Sequence, residues 1–545
     1  MAVIVKRLAN KKTRRETGLD YVISSMNILT PFGSKLIKDQ RPFLPGEEEV
    51  LRGELMRVQE LMNIARANKS QISVLSETFM MMKDNSLAIE RSGQGVLSVV
   101  EIFEIKSLLL LMDKVRKISD ELGFPAHFKP NDINGLLDVL DPGGDRLNTF
   151  YIYDSFSEKL SQLRREKKEL EREIRKQQKV RKNEIKDKYG LSLTPKFDIT
   201  LSKSDTHSIE MINEIPDLIK SDADYMSVTY VLAPNGEVDQ LTKKMDQLVV
   251  LIEDEELAVR EKLSREIFSY KGVLDDNAAI IGRLDVTLAK ALFADKRGCV
   301  MPEIVEEHVL EFEDGRHLEV EELVRKKGGE YCPVSISLED GVTCITGANM
   351  GGKTVSLKLT GMIAILAQYG FFVPCTRAKV GLCNFMQILI GDSQSIERGL
   401  SSFGSEMEEL KEIMDNSKPR SLLLVDEIAS GTNPVEGLAL TKSIVDYLKK
   451  QPYIALITTH FETVTEDPDV VNMQVKGLAD ADFDKLNREI RYANRKERIA
   501  IIQKYMDYRL ARVDSNKEIP KDALNIAKML GISGEIIENA RKYIK

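Results

Sequence analysis

The chain has 545 residues, 42% of them hydrophobic and 30% charged, with a formal net charge of -8. That length exceeds one ordinary core and implies about two to four domains. The acidic balance excludes a protein that coats nucleic acid over its whole surface, but a mean leaves room for a local basic arm.

Lys6 to Arg15 leads into a mixed sequence and not into an apolar run, so no secretory signal is expected. From about Leu19 to Glu121 the pattern is helical. Val50, Leu51, Leu55, Val58, Leu61, Met62 and Ile64 recur at three- and four-residue steps, and Val99 to Val115 is apolar enough to require burial. The Met80 to Met82 cluster is expected to be adaptable core filler. Gly123 to Asp145, rich in proline and glycine, reads as a loop with one short helix.

At Phe156 the texture changes to a long charged helix reaching Lys188, with Phe156, Leu160, Leu163, Leu170 and Ile174 on a thin apolar seam. Leu241, Met245, Leu248, Ile252 and Val259 give a partner helix over about Val238 to Tyr270. Between them Phe197 to Leu201 and Tyr225 to Leu232 are candidate strands, with a turn at Pro234-Asn235-Gly236. The architecture implied is a coiled-coil arm carrying a small tip. A long solvated hairpin must be charged merely to be soluble. Yet basic residues outnumber acidic ones in the first helix, so Arg164, Arg165, Lys167 and Lys168 are candidate phosphate contacts for DNA.

Asp276 to Ala294 returns to an apolar helix, and from Glu303 short strands and turns follow. The helical body therefore gives way near residue 298 to a second domain. Its five cysteines, Cys299, Cys332, Cys344, Cys375 and Cys383, show no paired metal-ligand spacing and are expected to be reduced and mostly buried, as in a cytoplasmic chain. Val342 to Ile345 reads as a buried strand and Val355 to Tyr369 as an apolar helix. Between them lies Gly347-Ala348-Asn349-Met350-Gly351-Gly352-Lys353-Thr354, the spacing of a phosphate-binding loop in its required strand-to-helix context. Glycines there let backbone N–H groups face phosphate oxygens, and the helix adds its positive end. Lys353 would reach the β- and γ-phosphates of ATP and Thr354 would place its hydroxyl on Mg²⁺. The apolar run around Gly361 to Val373 is interrupted by Gln368 and too short to span a membrane; it reads as core.

Ser401, Ser402 and Ser405 precede or open the helix Glu408 to Asn416. They suit either helix capping or an anion clamp. Leu422 to Val425 is a buried parallel strand ending in Asp426 and Glu427, where an α/β sheet presents ligand-facing groups. Asp426 would hold Mg²⁺, and Glu427 would orient or activate the attacking water. Ile454 to Ile457 is a further strand ending in Thr458-Thr459-His460. A strand-end histidine is more often an ordinary hydrogen-bonded residue than a catalytic one. Here the order of loop, acidic strand and histidine strand favours a γ-phosphate sensor.

The set ITGANMGGKT, DSQSIERGLSSFGSEM, LLLVDEIASGTNPVEG and TTH, in this order and spacing, resembles the ATPase domain of the MutS family, a branch of the ABC ATPases. The wording is most similar to the bacterial branch that usually carries a C-terminal Smr nuclease domain, and RLDVTLAKALFA in the helical core looks like that branch too. The resemblance implies an α/β P-loop ATPase domain of ABC type joined to a mainly α-helical core and lever domain with a coiled-coil arm and a small clamp tip. Its boundaries would be 1–155 for the first part of the helical core, 156–270 for the arms with the tip at about 189–236, and 271–298 for the returning core. The ATPase domain would occupy 299–470 and a C-terminal helical dimerisation segment 471–545.

The resemblance further implies that Tyr331 stacks on adenine, that Gly347, Asn349, Gly351, Gly352, Lys353 and Thr354 bind phosphate, and that Gln394 links the nucleotide to the body. Ser401, Ser402 and Ser405 would complete the ATP site of the opposite subunit of a homodimer whose closure moves the lever arms. The sequence departs from the family in showing no mismatch-reading domain before residue 20 and no Smr domain, so mismatch recognition and nuclease activity are not expected. It also has Pro520-Lys521-Asp522 where the family usually has a serine-aromatic pair.

Two substrates fit: branched or recombining double-stranded DNA, or a protein client. The second reading looks like the ATPase that reactivates lysine 5,6-aminomutase, a cobalamin-dependent aminomutase. A structural dimerisation module is disfavoured by the Asp426-Glu427 pair.

Overall fold

The computed structural model describes residues 8–347, 352–391, 402–478, 481–491, 494–513 and 522–543. The chain divides into two compact units, one formed by the residues up to Glu77 together with those from Ile281 onward, the other by Thr78–Ile280.

In chain order, the first unit opens with helices α1 (Lys11–Glu16), α2 (Leu19–Ser25), α3 (Pro31–Asp39) and α4 (Glu48–Ala67), and α5 (Lys69–Met80) leads out of it. The turn into α3 is fixed from afar. Asp285 accepts the backbone N–H groups of Leu29 (3.1 Å) and Thr30 (2.7 Å) as well as the Thr30 hydroxyl (2.7 Å), and Thr30 in turn caps α3. Burial raises the pKa of Asp285 against the pull of those donors.

Thr78–Ile280 holds α6 (Ser86–Arg91), α7 (Val99–Glu121), α8 (Asn134–Leu140), α9 (Glu158–Tyr189), β1 (Asp198–Ser202), α10 (Thr206–Asn213), β2 (Leu218–Ala223), β3 (Ser227–Leu232), α11 (Gly236–Ser269) and the start of α12 (Lys271–Arg297), whose larger part, from Ile281, belongs to the first unit. Ser98 and Glu101 form a reciprocal capping box at the start of α7. The long helices α9 and α11 pack side by side, with Leu160, Leu163, Ile252 and Val259 buried along them. They enclose an antiparallel sheet of order β1-β3-β2 whose own core includes Ile185, Ile212, Leu218, Val228 and Tyr230. Strand β2 and helix α10 have no counterpart among the expected elements, because the strand exposes all but its first residue and so lacks a burial pattern. Met82 is core at 5% exposure, but Met80 and Met81 are 60% and 56% exposed, so the expected core role of this cluster holds for one methionine of three.

The rest of the first unit is built on β4 (Glu303–Val305), β5 (Leu310–Gly315), α13 (Leu318–Lys326), β6 (Val334–Leu338), β7 (Gly341–Thr346), α14 (Gly352–Gln368), β8 (Arg377–Gly381), β9 (Phe385–Leu389), α15 (Ser402–Asn416), β10 (Ser421–Asp426), α16 (Pro434–Leu448), β11 (Tyr453–Thr458) and β12 (Val470–Gly477). They are followed by α17 (Phe483–Arg491), α18 (Arg495–Tyr505), β13 (Asp507–Arg512), α19 (Asp522–Met529) and α20 (Gly534–Tyr543). A six-stranded sheet of order β13-β12-β7-β11-β10-β9 is parallel except for β13, and a four-stranded sheet has order β4-β8-β5-β6. Every residue of β11 and the first five of β10 are buried, as expected of strands covered on both faces. Almost all of α14 is buried too, including Gln368, whose amide donates to the carbonyls of Phe43 and Cys383 at 2.9 Å each.

Two boundaries differ from the sequence reading. The segment from 471 onward is not simply helical, since β12 and β13 extend the sheet. The polar Asn472 and Gln474 hide β12 from a hydrophobicity pattern, yet they sit among sheet neighbours, with Asn472 Oδ1 accepting the Thr346 hydroxyl at 3.1 Å. Residues 8–17, assigned to the helical core, pack on the sheet domain. Met386 N–H donates to Leu8 O at 2.8 Å, and Ile388 N–H to the Thr13 hydroxyl at 3.2 Å. Glu16 pairs with Lys358 at 2.7 Å and Lys12 with Glu409 at 2.8 Å.

His317 caps α13 and is 1% exposed, and burial pushes its pKa down to about 4. The folded value lies below the unfolded one, so the unfolded chain binds the extra proton, and stability present above about pH 6.5 is lost as pH falls toward 4. Between pH 7 and pH 5 this imidazole should account for about 2 kcal/mol. His317→Asn keeps a capping side chain without the titration, and its thermal midpoint should fall less than that of the wild type over the same interval.

Candidate functional site at the strand ends

Three neighbouring strands bring the chemistry together. In the register of the sheet Asp426 of β10 lies beside Thr458 of β11, and Thr458 beside Ile345 of β7, so the carboxyl ends of all three strands are level. The chain leaves β7 through Gly347, whose φ of +117° is closed to ordinary side chains, and re-enters described structure at Gly352, the first residue of α14. A Cβ on Gly352 would stand 3.1 Å from the Tyr508 ring and 3.3 Å from Val475. Glycine at this position thus lets β12 and β13 close against the start of α14.

Lys353, 3% exposed, points its ammonium into the cluster: 3.4 Å from Glu427 Oε1 and 3.2 Å from His460 Nδ1. His460 Nε2 is 2.8 Å from the same Glu427 oxygen. An ammonium can only donate, so Nδ1 accepts and the Nε2 proton is directed at Glu427. Burial lowers the pKa of Lys353, and the charges of Glu427 and Asp426 act in the opposite sense. The Thr354 hydroxyl donates to Asp426 Oδ2 at 2.8 Å, and the Thr458 hydroxyl to Asp426 Oδ1 at 2.5 Å. Glu427 and Ala429 both have left-handed backbones, φ +49° and +58°. Such residues cost about 1 kcal/mol or more each and persist only where surrounding bonds impose them.

The arrangement suits a phosphorylated ligand with a hard divalent cation. A buried lysine and a helix N-terminus face the place where an anion would sit, which is the chemistry of phosphate binding. A hydroxyl and a carboxylate in contact, Thr354 and Asp426, are oxygen donors of the kind Mg²⁺ shares with phosphates. Among the described residues no cluster of three or more His, Cys, Asp or Glu could hold a metal by itself. A cation here would therefore depend on ligand oxygens.

The remaining candidates divide. Asn349, Gly351, Gln394 and Ser401 lie outside the described residues, and so does the side chain of Ser402, which opens α15. Ser405 is half-buried in the first turns of α15. The Tyr331 hydroxyl accepts the His317 backbone N–H at 3.0 Å, and burial pushes its pKa up to about 12. Its neighbour Cys332 lies 3.8 Å from Asp507. Sequence reasoning missed Tyr508 and Val475 beside Gly352, and Glu406 of α15, which accepts Ala429 N–H at 2.8 Å. No motif marks Tyr508, and Glu406 was legible only as one more acid before a helix.

Arg164 is already engaged within the arm: it donates to Ile152 O at 2.9 Å, to Glu256 at 2.7 Å and to Asp154. A phosphate at Arg164 would have to compete with these bonds. Helix α11 is rich in acids and offsets the basic α9, as in the 2.8 Å pair of Lys159 with Glu255. Arg165 and Lys168 remain exposed and Lys167 is half-buried.

Fold and site together define a mainly parallel α/β domain with its polar site at the carboxyl ends of adjacent strands, the usual position in this class. Residues 343–545 match the family model described as MutS domain V. The chain is 30% identical over 404 residues to the endonuclease MutS2 of Halothermothrix orenii, covering 70% of this chain and 49% of that one. It is 27% identical over 361 residues to the DNA mismatch repair protein MutS of Salinibacter ruber, covering 64% and 37%. With the endonuclease MutS2 of Clostridium tetani it shares 31% over 337 residues, covering 61% and 39%. The chain belongs to the MutS family, and it spans half or less of the length of these relatives.

Arg164→Ala should destabilise Thr78–Ile280 by about 1–3 kcal/mol through the loss of its charge-assisted bonds. Arg165→Ala should stay within about 0.5 kcal/mol. Urea denaturation of the two variants distinguishes the roles.

Proposed function

We propose that the chain is an ATP-binding and ATP-hydrolysing member of the MutS family that acts as a homodimeric clamp on DNA, branched or recombining duplex in preference to mismatches. The observation that carries this reading is the convergence of Lys353, Glu427 and His460 on one another at the strand ends. Lys353 binds the β- and γ-phosphates and leaves its pairing with Glu427 to do so. Glu427, freed and still held by His460 Nε2, orients a water and takes up its proton as it attacks the γ-phosphorus, whose bond to the β,γ-bridging oxygen breaks to release ADP and phosphate. Thr354 and Asp426 would hold Mg²⁺, which neutralises the charge that develops on the phosphate oxygens. Tyr331 would stack on adenine, and the segment Ser401 to Ser405 of one subunit would close the site of the other.

DNA enters this reading from the relatives, two named endonuclease MutS2 and one DNA mismatch repair protein MutS, and from the outward Arg165 and Lys168 of α9. The endonuclease in their names is not carried over, since the matched part covers 49% or less of them. These names also favour DNA over a protein client.

Glu427→Gln should lower steady-state ATP hydrolysis about 100- to 10,000-fold while ATP binding persists. Branched DNA should stimulate the wild type and not the mutant. Hydrolysis that survives the substitution, or turnover indifferent to DNA, would remove the respective half of the proposal. Neutralising Arg165, Lys167 and Lys168 together should weaken DNA binding and flatten its dependence on salt, read by fluorescence anisotropy at several salt concentrations.

A further inference from the structure

Thr458 is fully buried at 0% exposure, and its hydroxyl serves both acidic residues at once. As donor it gives its proton to Asp426 Oδ1 at 2.5 Å; as acceptor it takes the backbone N–H of Glu427 at 3.0 Å. The Thr458 carbonyl lies 3.1 Å from the same N–H. That N–H belongs to the first of two left-handed residues, and the second, Ala429, is tied by its own N–H to Glu406 at 2.8 Å. The reversal after β10 is therefore held at both ends by side chains from other elements. Left-handed backbone at Glu427 turns its carboxylate out of the strand and back toward Lys353 and His460, where an extended residue would follow the alternation of the strand.

We propose that Thr458 is a positioning residue for hydrolysis: one hydroxyl sets the direction of the Asp426 carboxylate and the backbone of Glu427, so that cation holder and water-orienting base are aimed together. This inference rests on the ATPase reading. It adds a residue whose loss should separate catalysis from nucleotide binding, because its hydroxyl bonds go to Asp426 and Glu427 and not to Lys353.

The test compares the full chain as wild type, Thr458→Val and Thr458→Ser. Valine has the shape of threonine without the hydroxyl; serine restores the hydroxyl. Thr458→Val should lower kcat about 10- to 100-fold and leave the affinity for a fluorescent ATP analogue, measured without divalent cation, within about 3-fold, and Thr458→Ser should recover most of kcat. Mn²⁺ binding in the presence of a non-hydrolysable ATP analogue, read by electron paramagnetic resonance, should weaken about 10-fold in Thr458→Val and recover in Thr458→Ser. Thermal midpoints of the three proteins confirm that folded chains are compared. Should valine not fold, Thr458→Ala against Thr458→Ser gives the same contrast.

Wild-type turnover with an unchanged valine variant overturns the positioning role and leaves the ATPase reading standing. So does a valine variant that loses nucleotide affinity and kcat in parallel, or a serine variant that fails to recover. A wild type that neither binds nor hydrolyses ATP overturns both.

Discussion

A buried ammonium facing a carboxylate and an imidazole is the interaction on which the sheet domain turns. Lys353 is 3% exposed, and taking such a charge out of water is tolerable only when partners are close. The partners come from different strands: Glu427 follows β10 and His460 follows β11. Their meeting requires the strand ends to be level, and that in turn requires the continuous apolar cores of β10 and β11, which hold the register. The core below the site, with Cys344, Leu423, Val425, Ala455 and Ile457 among its members, is the foundation of the polar cluster above it.

The same cluster explains why the loop after β10 leaves ordinary backbone space. A strand alternates its side chains between faces, so Asp426 and Glu427 could not both address one site if the strand simply continued. Left-handed conformations at Glu427 and Ala429 break the alternation, and the bonds from Thr458 and Glu406 hold the break in place. Conformational cost is concentrated where two carboxylates must converge, a distribution typical of sites that perform chemistry.

Much of this was legible in the sequence for a definite reason. Strands buried on both faces are written as unbroken apolar runs, and the residues that follow them stand at the sheet's ligand-facing edge, so Asp426, Glu427 and His460 could be placed without coordinates. The spacing from Gly347 to Thr354 likewise placed Gly352, Lys353 and Thr354 at the start of a helix. What could not be read is whatever depends on partners distant in sequence. Arg164 looks like a free cation until Asp154 and Glu256 are placed around it. Strand β12 carries polar residues that the sheet itself satisfies, and β13 joins from beyond two intervening helices. The exposure of Met80 and Met81 is likewise set by the end of α5, which periodicity locates only to within a few residues.

Helix α14 begins beside the polar cluster and ends at Gln368, just before Tyr369, whose carbonyl accepts the Lys290 ammonium at 3.0 Å and the Gln40 amide at 2.7 Å. Lys290 is itself 1% exposed, lies 4.5 Å above the Phe371 ring, and has its pKa pushed down to about 8 by burial. A cation at the carboxyl end of a helix is favourably placed, and this one would lose its carbonyl partner if the helix slid along its axis. The helix is thus anchored at both ends by buried lysines of opposite placement. An axial shift of the helix would therefore break contacts of a buried charge at either end.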